Sequence, residues 1–139
     1  MFPGHASIKP QPRGVVLIIG SDRNPIGSVL CPLVSAVAAG NGALVKVSDN
    51  APKCAQVVHL FVSNFLDNRF YQCVVADKLP AETIAELPLD MICYTGEESR
   101  AKRVLLAASS NLVPVHLELE HLCPTVVDGS ANLVMAAAK

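Results

Sequence analysis

Hydrophobic residues occur in short continuous runs that alternate with segments of helical spacing. The run Val15–Ile19 is β-branched except for one leucine and ends at Gly20. Such a run is typical of a strand that is buried on both faces of a parallel sheet. Regular alternation of strands and helices with short links predicts an α/β fold with right-handed crossovers. The predicted strands are 15–19, 43–47, 71–76, 91–94, 113–119 and a short one at 125–127.

The helices are predicted from apolar residues spaced three and four positions apart. Asn24 is expected to cap the first helix with Pro25 at its first position, and Pro32 to bend or shorten it. The second helix is expected to begin at Pro52 with Asp49 or Asn50 as its cap. Its expected apolar face consists of Cys54, Val57, Val58, Phe61 and Phe65, and further helices are expected over 81–87, from the Thr95–Gly96 turn to about 109, and over 133–138.

Composition narrows the class of protein. The 139 residues are 51% hydrophobic and 17% charged with a net charge of -1, which favours one globular domain and gives no support for nucleic-acid binding. We assign residues 1–12 to an N-terminal tail and 13–139 to the domain. Residues 24–45 carry no charge, but Pro and Gly interrupt them, so a buried helix, turn and strand is preferred to a membrane span. Five widely spaced cysteines indicate reduced thiols in a cytoplasmic protein.

The carboxyl ends of the predicted strands are the expected ligand site, as in other open parallel sheets. Lys46 and Asp49 stand at one such end, where an ammonium donates to ribose hydroxyls and a carboxylate accepts from them; a solvated loop end is the alternative. Gly96 precedes a helix whose free N–H groups could bind a pyrophosphate. Glu97 and Glu98 follow it and repel phosphate, which favours an ordinary helix start.

Several segments, taken together, resemble the class 3 and plant-type aldehyde dehydrogenases. They occur in the family's order and with nearly its spacing, over about residues 12–133. The resemblance implies a Rossmann-like, doubly wound, mostly parallel sheet that forms part of the family's coenzyme domain. The matching segments are PRGVVLI at 12–18, NPIG at 24–27, AAGN at 38–41, KVSD at 46–49, YTG at 94–96, and LEL at 117–119 with CP at 123–124.

The resemblance also implies chemistry. The family oxidises aldehydes to carboxylic acids with NAD or NADP, using a nucleophilic cysteine and a glutamate that activates water. Glu118 matches this glutamate, and Lys46 and Asp49 match the pair that holds the adenosine ribose. The cysteine lies beyond the LELGG segment in a second domain, so the chain is predicted to be truncated before that domain and inactive alone. The expected coenzyme contacts are Ser21, Lys46, Ser48, Asp49, Gly96 and Leu119.

Departures from the family's pattern predict weak or absent coenzyme binding. Glu120 and His121 replace two glycines that leave room near the nicotinamide, and their bulk is expected to obstruct it. Arg23 replaces an asparagine that helps to hold the oxyanion, and Asp22 replaces the preceding tryptophan. Although an arginine can stabilise an anion, a surface Asp22–Arg23 pair is the preferred interpretation.

Two other groups of side chains resemble chemical sites but have simpler interpretations. Cys123 beside His121 has the elements of a nucleophile and a base, but the family accepts a non-catalytic cysteine there. His116, Glu118 and Glu120 alternate along a strand and could face a divalent metal. With no further histidine or cysteine cluster in support, no metal site is predicted.

The alternatives to an inactive dehydrogenase homologue are a non-catalytic nucleotide-binding module and an interaction protein. High hydrophobicity and the apolar segment 133–138 predict exposed apolar surface. We therefore expect self-association or pairing with an intact aldehyde dehydrogenase subunit.

Overall fold

A computed structural model describes residues 4, 6–75, 79–119, 124 and 126–137. It contains one five-stranded parallel sheet with strand order β3-β2-β1-β4-β5, which confirms the predicted Rossmann-like fold. The elements are β1 (Val15–Ile19), α1 (Gly27–Ala38), β2 (Gly42–Lys46), α2 (Pro52–Phe65), β3 (Tyr71–Val74), α3 (Ala81–Ala85), β4 (Met91–Gly96), α4 (Glu98–Ser109), β5 (Val115–Leu119) and α5 (Leu133–Ala137).

The central strand β1 separates two hydrophobic cores. Successive side chains of a strand point to opposite faces, so Val16 and Ile18 pack with α1 and α2, whereas Leu17 and Ile19 pack with α3 and α4. This double burial explains why β1 is a continuous apolar run. The second core also covers β4 and β5, through Ile92 and partly buried residues of β5.

Asn41 connects the start of β1 to the end of α1. Its Oδ1 accepts hydrogen bonds from the backbone N–H groups of Arg13 at 2.6 Å and Gly14 at 3.0 Å. Its Nδ2 donates to the Ala36 carbonyl at 3.5 Å. The asparagine of the AAGN segment is therefore a buried polar link that fixes where the sheet begins.

The beginning of α1 differs from the prediction. The helix begins at Gly27, so Asn24 and Pro25 lie in a turn before it. Asn24 nevertheless accepts a hydrogen bond from the Gly27 N–H at 3.0 Å, which ties the turn to the helix. Pro32 does not shorten the helix, which continues to Ala38.

The cap of α2 was predicted incorrectly, and its buried face was predicted correctly only in part. Ala51 is the N-cap and makes no side-chain cap bond, because Asp49 pairs with Lys46 and Asn50 donates to Asp22. Pro52 opens the helix as predicted. The buried residues are Ala55, Val58 and Val62, with Cys54 at the edge of the core, whereas Val57, Phe61 and Phe65 are exposed.

The strand boundaries also shift. β4 extends to Gly96, and β5 begins at Val115, after the turn in which Leu112 has φ 52°. The helix predicted over 81–87 ends at Ala85. Val126 and Val127 are not in a strand and are exposed, so the short sixth strand is not found there; Thr125 and Ala76 lie outside the described residues.

Within the described part of the chain, no helix is both long and apolar enough to cross a bilayer.

Candidate functional site

The carboxyl ends of β1, β2 and β4 meet at one edge of the sheet. They line a strand-end cleft of about 60 Å³ that brings together Ser21, Ser48 and Gly96. Beside it lies a β2 groove of about 560 Å³, whose charged residues are Lys46, Asp49, Glu82, Arg100 and Arg103. The structure therefore places five of the six expected coenzyme contacts at adjoining surfaces. The sixth, Leu119, packs against the second core.

Lys46 is the last residue of β2 and is almost completely buried, with 4% of its side chain exposed. Its ammonium forms an ion pair with the carboxylate of Asp49 and donates to the Val47 carbonyl at 3.4 Å. The carboxylate partner is half exposed. A buried charge requires such a partner, so a ligand hydroxyl at this site must join or displace an existing ion pair.

Two arginines of α4 line the same groove, and sequence reasoning did not identify them. Arg103 Nε lies 3.0 Å from Glu82 Oε1 of α3. Arg100 lines both the β2 groove and the strand-end cleft. Positions 100 and 103 lie three residues apart, which places them on one face of a helix. The packing of α4 against α3 and β4 brings that face to the groove.

The two serines of the cleft form the turns at the strand ends. The backbone N–H of Ser21 donates to Ser28 Oγ at 3.0 Å, and Ser21 Oγ accepts from the Arg23 N–H at 3.2 Å. Ser48 Oγ accepts from the Asn50 N–H at 3.4 Å. Both serines are buried, so these hydroxyls contribute to the shape of the cleft.

Gly96 has a conformation that only glycine adopts easily. Its φ is +152°, and a Cβ would lie 2.7 Å from Tyr94 Oη. Buried Tyr94 donates from this hydroxyl to the Glu97 carbonyl at 3.1 Å. The helix after it, α4, begins at Glu98, which forms an ion pair with Lys102 at 2.7 Å. Gly96 therefore allows β4 to turn closely around the tyrosine.

The strand-end cleft also carries two carboxylates, Asp22 and Glu97. Asp22 accepts a hydrogen bond from Asn50 Nδ2 at 2.9 Å. This bond lowers the pKa of Asp22, and the positive charges of Arg100 and Arg23 act in the same direction. Asp22 thus contacts an amide of the neighbouring loop, while Arg23 influences it through charge.

Glu118 lies on the opposite face of the sheet from α4. It faces a β5 hollow of about 820 Å³, whose lining includes Arg23, Cys31, Cys93 and His116. Thr95 Oγ1 donates to Glu118 Oε2 at 3.4 Å, and His116 Nε2 lies 3.8 Å from Oε1. The glutamate side chain remains 62% exposed, so its contacts hold it only loosely.

Two cysteines line this hollow, exposed Cys31 of α1 and half-buried Cys93 of β4. Burial raises the pKa of the Cys93 thiol, and the negative charge of Glu118 raises it further. The thiolate is the nucleophilic form, so this environment disfavours nucleophilic attack by Cys93.

Several predicted features fall on residues that the structure does not describe. Glu120, His121 and Cys123 are among these. The expected obstruction of the nicotinamide and the Cys123–His121 pair therefore lie outside the described residues. Over the described ranges, no group of three or more His, Cys, Asp and Glu side chains is placed to hold a metal ion.

Comparison with known proteins finds aldehyde dehydrogenases both by family model and by sequence similarity. The model of the aldehyde dehydrogenase family matches residues 4–139. The 4,4'-diaponeurosporen-aldehyde dehydrogenase of Staphylococcus aureus is 37% identical over 139 residues, which are 100% of this chain and 30% of that protein. Aldehyde dehydrogenase family 3 member A2 of Rattus norvegicus is 36% identical over 134 residues, covering 96% of this chain and 28% of the relative.

Solved structures agree with the sequence relatives. The substrate-bound state of Staphylococcus aureus AldH has a TM-score of 0.80 and 37% identity, covering 91% of this chain and 28% of that one. PnpE in complex with nicotinamide adenine dinucleotide has a TM-score of 0.66 and 27% identity, covering 78% and 23%. The chain thus spans less than a third of the length of these relatives.

Proposed function

Because this chain belongs to the aldehyde dehydrogenase family, we propose that it forms coenzyme-binding structure of an NAD(P)-dependent aldehyde dehydrogenase and does not oxidise aldehydes by itself. The observation that carries the proposal is the Lys46–Asp49 pair at the carboxyl end of β2, beside a groove large enough for part of a nucleotide. An open parallel sheet binds its ligands at this edge. The pair offers a donor and an acceptor to ribose hydroxyls.

The charges at this edge of the sheet are expected to weaken coenzyme binding. The Lys46 ammonium is already engaged by the Asp49 carboxylate, so a ribose hydroxyl competes with an ion pair. Asp22 and Glu97 line the strand-end cleft beside Gly96, where a pyrophosphate would approach the start of α4. Repulsion between each carboxylate and the pyrophosphate at such a partly exposed site lowers the binding free energy by on the order of 1 kcal/mol.

The surroundings of Glu118 support the absence of turnover. A glutamate general base acts on water that attacks a thioester, which requires a cysteine nucleophile first. The 139 residues contain no GQxC-type motif, and the environment of Cys93 raises the pKa of that thiol. Cys93, the thiol whose pKa Glu118 raises, is therefore disfavoured as that nucleophile.

Calorimetric titration and an aldehyde assay test this proposal on the purified 139-residue chain. With NAD and NADP at low salt, we expect dissociation constants of about 0.1–1 mM, given the competing charges. Lys46→Ala is expected to weaken any binding, whereas Lys102→Ala, whose partner Glu98 is on the surface, serves as the control. An unchanged affinity in Lys46→Ala would show that another surface binds the coenzyme.

The assay follows NAD(P)H absorbance with short and long aldehydes. We expect no turnover. Micromolar coenzyme affinity would contradict the weak-binding part of the proposal, and turnover that disappears in Cys93→Ser or Cys123→Ser would contradict the assignment of an inactive chain.

A second candidate function is interaction with another subunit, which exposed apolar side chains favour. In α5, Leu133, Val134 and Met135 are 66%, 82% and 64% exposed. On α2, the rings of Phe61 and Phe65 lie 5.5 Å apart and are also exposed. Exposed apolar side chains that lie together, as these two rings do, are typical of association sites. We propose that the chain self-associates or pairs with an intact aldehyde dehydrogenase subunit.

Sedimentation velocity at several protein concentrations tests the association. We expect the mean sedimentation coefficient to rise with concentration. The triple variant L133S/V134S/M135S is expected to reduce this rise, while Leu106→Ser, an equally exposed position on α4, leaves it unchanged. A chain that stays monomeric at high concentration would exclude self-association.

A further inference from the structure

The two adjoining surfaces at the strand ends differ in charge. The strand-end cleft holds two carboxylates, Asp22 and Glu97, and one cation, Arg100. The β2 groove holds three cations and two carboxylates. A ligand that lies across both surfaces therefore meets a negative field at the cleft and a positive field at the groove.

The groove's positive charge resides mainly on Arg100. The other two cations have partners, since Lys46 pairs with Asp49 and Arg103 with Glu82. Among the described residues, no carboxylate lies within ion-pair distance of Arg100. Asp22 is close enough for Arg100 to lower its pKa, but Asp22 is held by Asn50. The guanidinium of Arg100 is thus available to an incoming anion.

We propose that this groove selects NADP over NAD and that Arg100 is the specificity-determining residue. The inference rests on the proposed function, which places the adenosine ribose at the end of β2. The two coenzymes differ only in the 2'-phosphate of that ribose. A guanidinium matches a phosphate with two parallel hydrogen bonds, so an arginine that no carboxylate engages at ion-pair distance favours the phosphorylated ribose.

The Asp49 carboxylate is the group that would favour NAD. An acidic side chain at this position accepts from a free 2'-hydroxyl and repels a 2'-phosphate. Here the buried ammonium of Lys46 neutralises that carboxylate. The repulsion of a phosphate is reduced accordingly, and the acceptor atoms for a hydroxyl are partly occupied.

NMR titration of the ¹⁵N-labelled chain with small nucleotides tests the inference, because it measures weak binding. The probes are adenosine 2',5'-bisphosphate, its 3',5' isomer and adenosine 5'-monophosphate, followed by NADP and NAD. We expect the 2',5'-bisphosphate to bind about five- to tenfold more tightly than the monophosphate, as one charge-assisted phosphate contact at an exposed arginine allows. The 3',5' isomer has the same charge and is expected to bind more weakly.

Arg100→Gln is expected to reduce that five- to tenfold preference to about one, while Lys102→Gln on the same helix preserves it, because Lys102 does not line the groove. Equal binding of the two bisphosphates, or a preference that survives in Arg100→Gln, would overturn the inference. Equal binding of NAD and NADP by the native chain would overturn it and leave the proposed function intact. No binding of any probe at millimolar concentration would overturn both.

Discussion

Lys46 and Glu118 both lie at the carboxyl ends of parallel strands, but the fold surrounds them differently. Lys46 ends β2, which is flanked by two strands, and only 4% of its side chain is exposed. Glu118 is on the edge strand β5, and 62% of its side chain is exposed. The buried ammonium of Lys46 is held by an ion pair with half-exposed Asp49, whereas the carboxylate of Glu118 has contacts no shorter than 3.4 Å. The charged side chain of the β2 groove is therefore held in place by its surroundings, whereas that of the β5 hollow is held only loosely.

This contrast predicts where substitutions have large effects. Strands β1 and β4 lie between the two regions, and β4 pairs with β1 on one side and β5 on the other. A change at the carboxyl end of β4 is expected to disturb both regions, whereas changes within either region should affect them unequally.

The largest effect is expected from Gly96→Ala. The new Cβ would lie 2.7 Å from Tyr94 Oη at a φ of +152°, and buried Tyr94 has little room to move. We expect a loss of about 2–4 kcal/mol in the free energy of unfolding, since strain and overpacking combine. Urea denaturation measures it. Gly129→Ala, where nothing lies within 4 Å of the added methyl group, is the control and should change stability little.

Truncation of Lys46 and Glu118 tests whether the buried side chain contributes more to stability than the exposed one. Lys46→Ala removes a buried stem and leaves Asp49 without its partner, so we expect a loss of about 1–2 kcal/mol. Glu118→Ala removes a mostly exposed side chain, and a change within about 0.5 kcal/mol is expected. Equal losses in the two variants, measured by the same denaturation curves, would show that the difference in exposure does not govern their stability.

The smallest effect concerns the thiols. Burial raises the pKa of Cys73 to about 11, and burial together with the charge of Glu118 raises the pKa of Cys93. At pH 8 we therefore expect exposed Cys31 to be alkylated faster than either. Neutralising Glu118 lowers the pKa of Cys93 and increases its thiolate fraction, so Glu118→Gln should accelerate alkylation of Cys93 about twofold.

Site-resolved mass spectrometry distinguishes the cysteines, and Cys73 serves as the internal control because Glu118 does not influence its pKa. An unchanged rate at Cys93 in Glu118→Gln would mean that the charge of Glu118 does not reach the thiol.

Most of the sheet could be predicted from local sequence. Residues 16–19 are apolar at every position because this part of β1 is buried on both faces. The ends of β1 and β5 fall at Ile19 and Leu119 as predicted, whereas those of β2, β3 and β4 shift by one or two residues. The phase of α2 could not be predicted in the same way. Apolar residues cover more than one side of this helix, and its packing on the sheet selected Ala55, Val58 and Val62 over the larger Phe61 and Phe65.

In the candidate site, too, some features could be predicted from the sequence and others depend on packing. The sequence alone determined the fold class, the family and the positions of Lys46, Asp49 and Glu118 at strand ends, because strand periodicity and motif spacing are local properties. The tertiary structure decided that Lys46 is buried against Asp49, that Arg100 and Arg103 line the β2 groove, and that Glu118 remains exposed on an edge strand. Burial and charge pairing depend on how helices pack beside strands distant in sequence, and no local pattern encodes that packing.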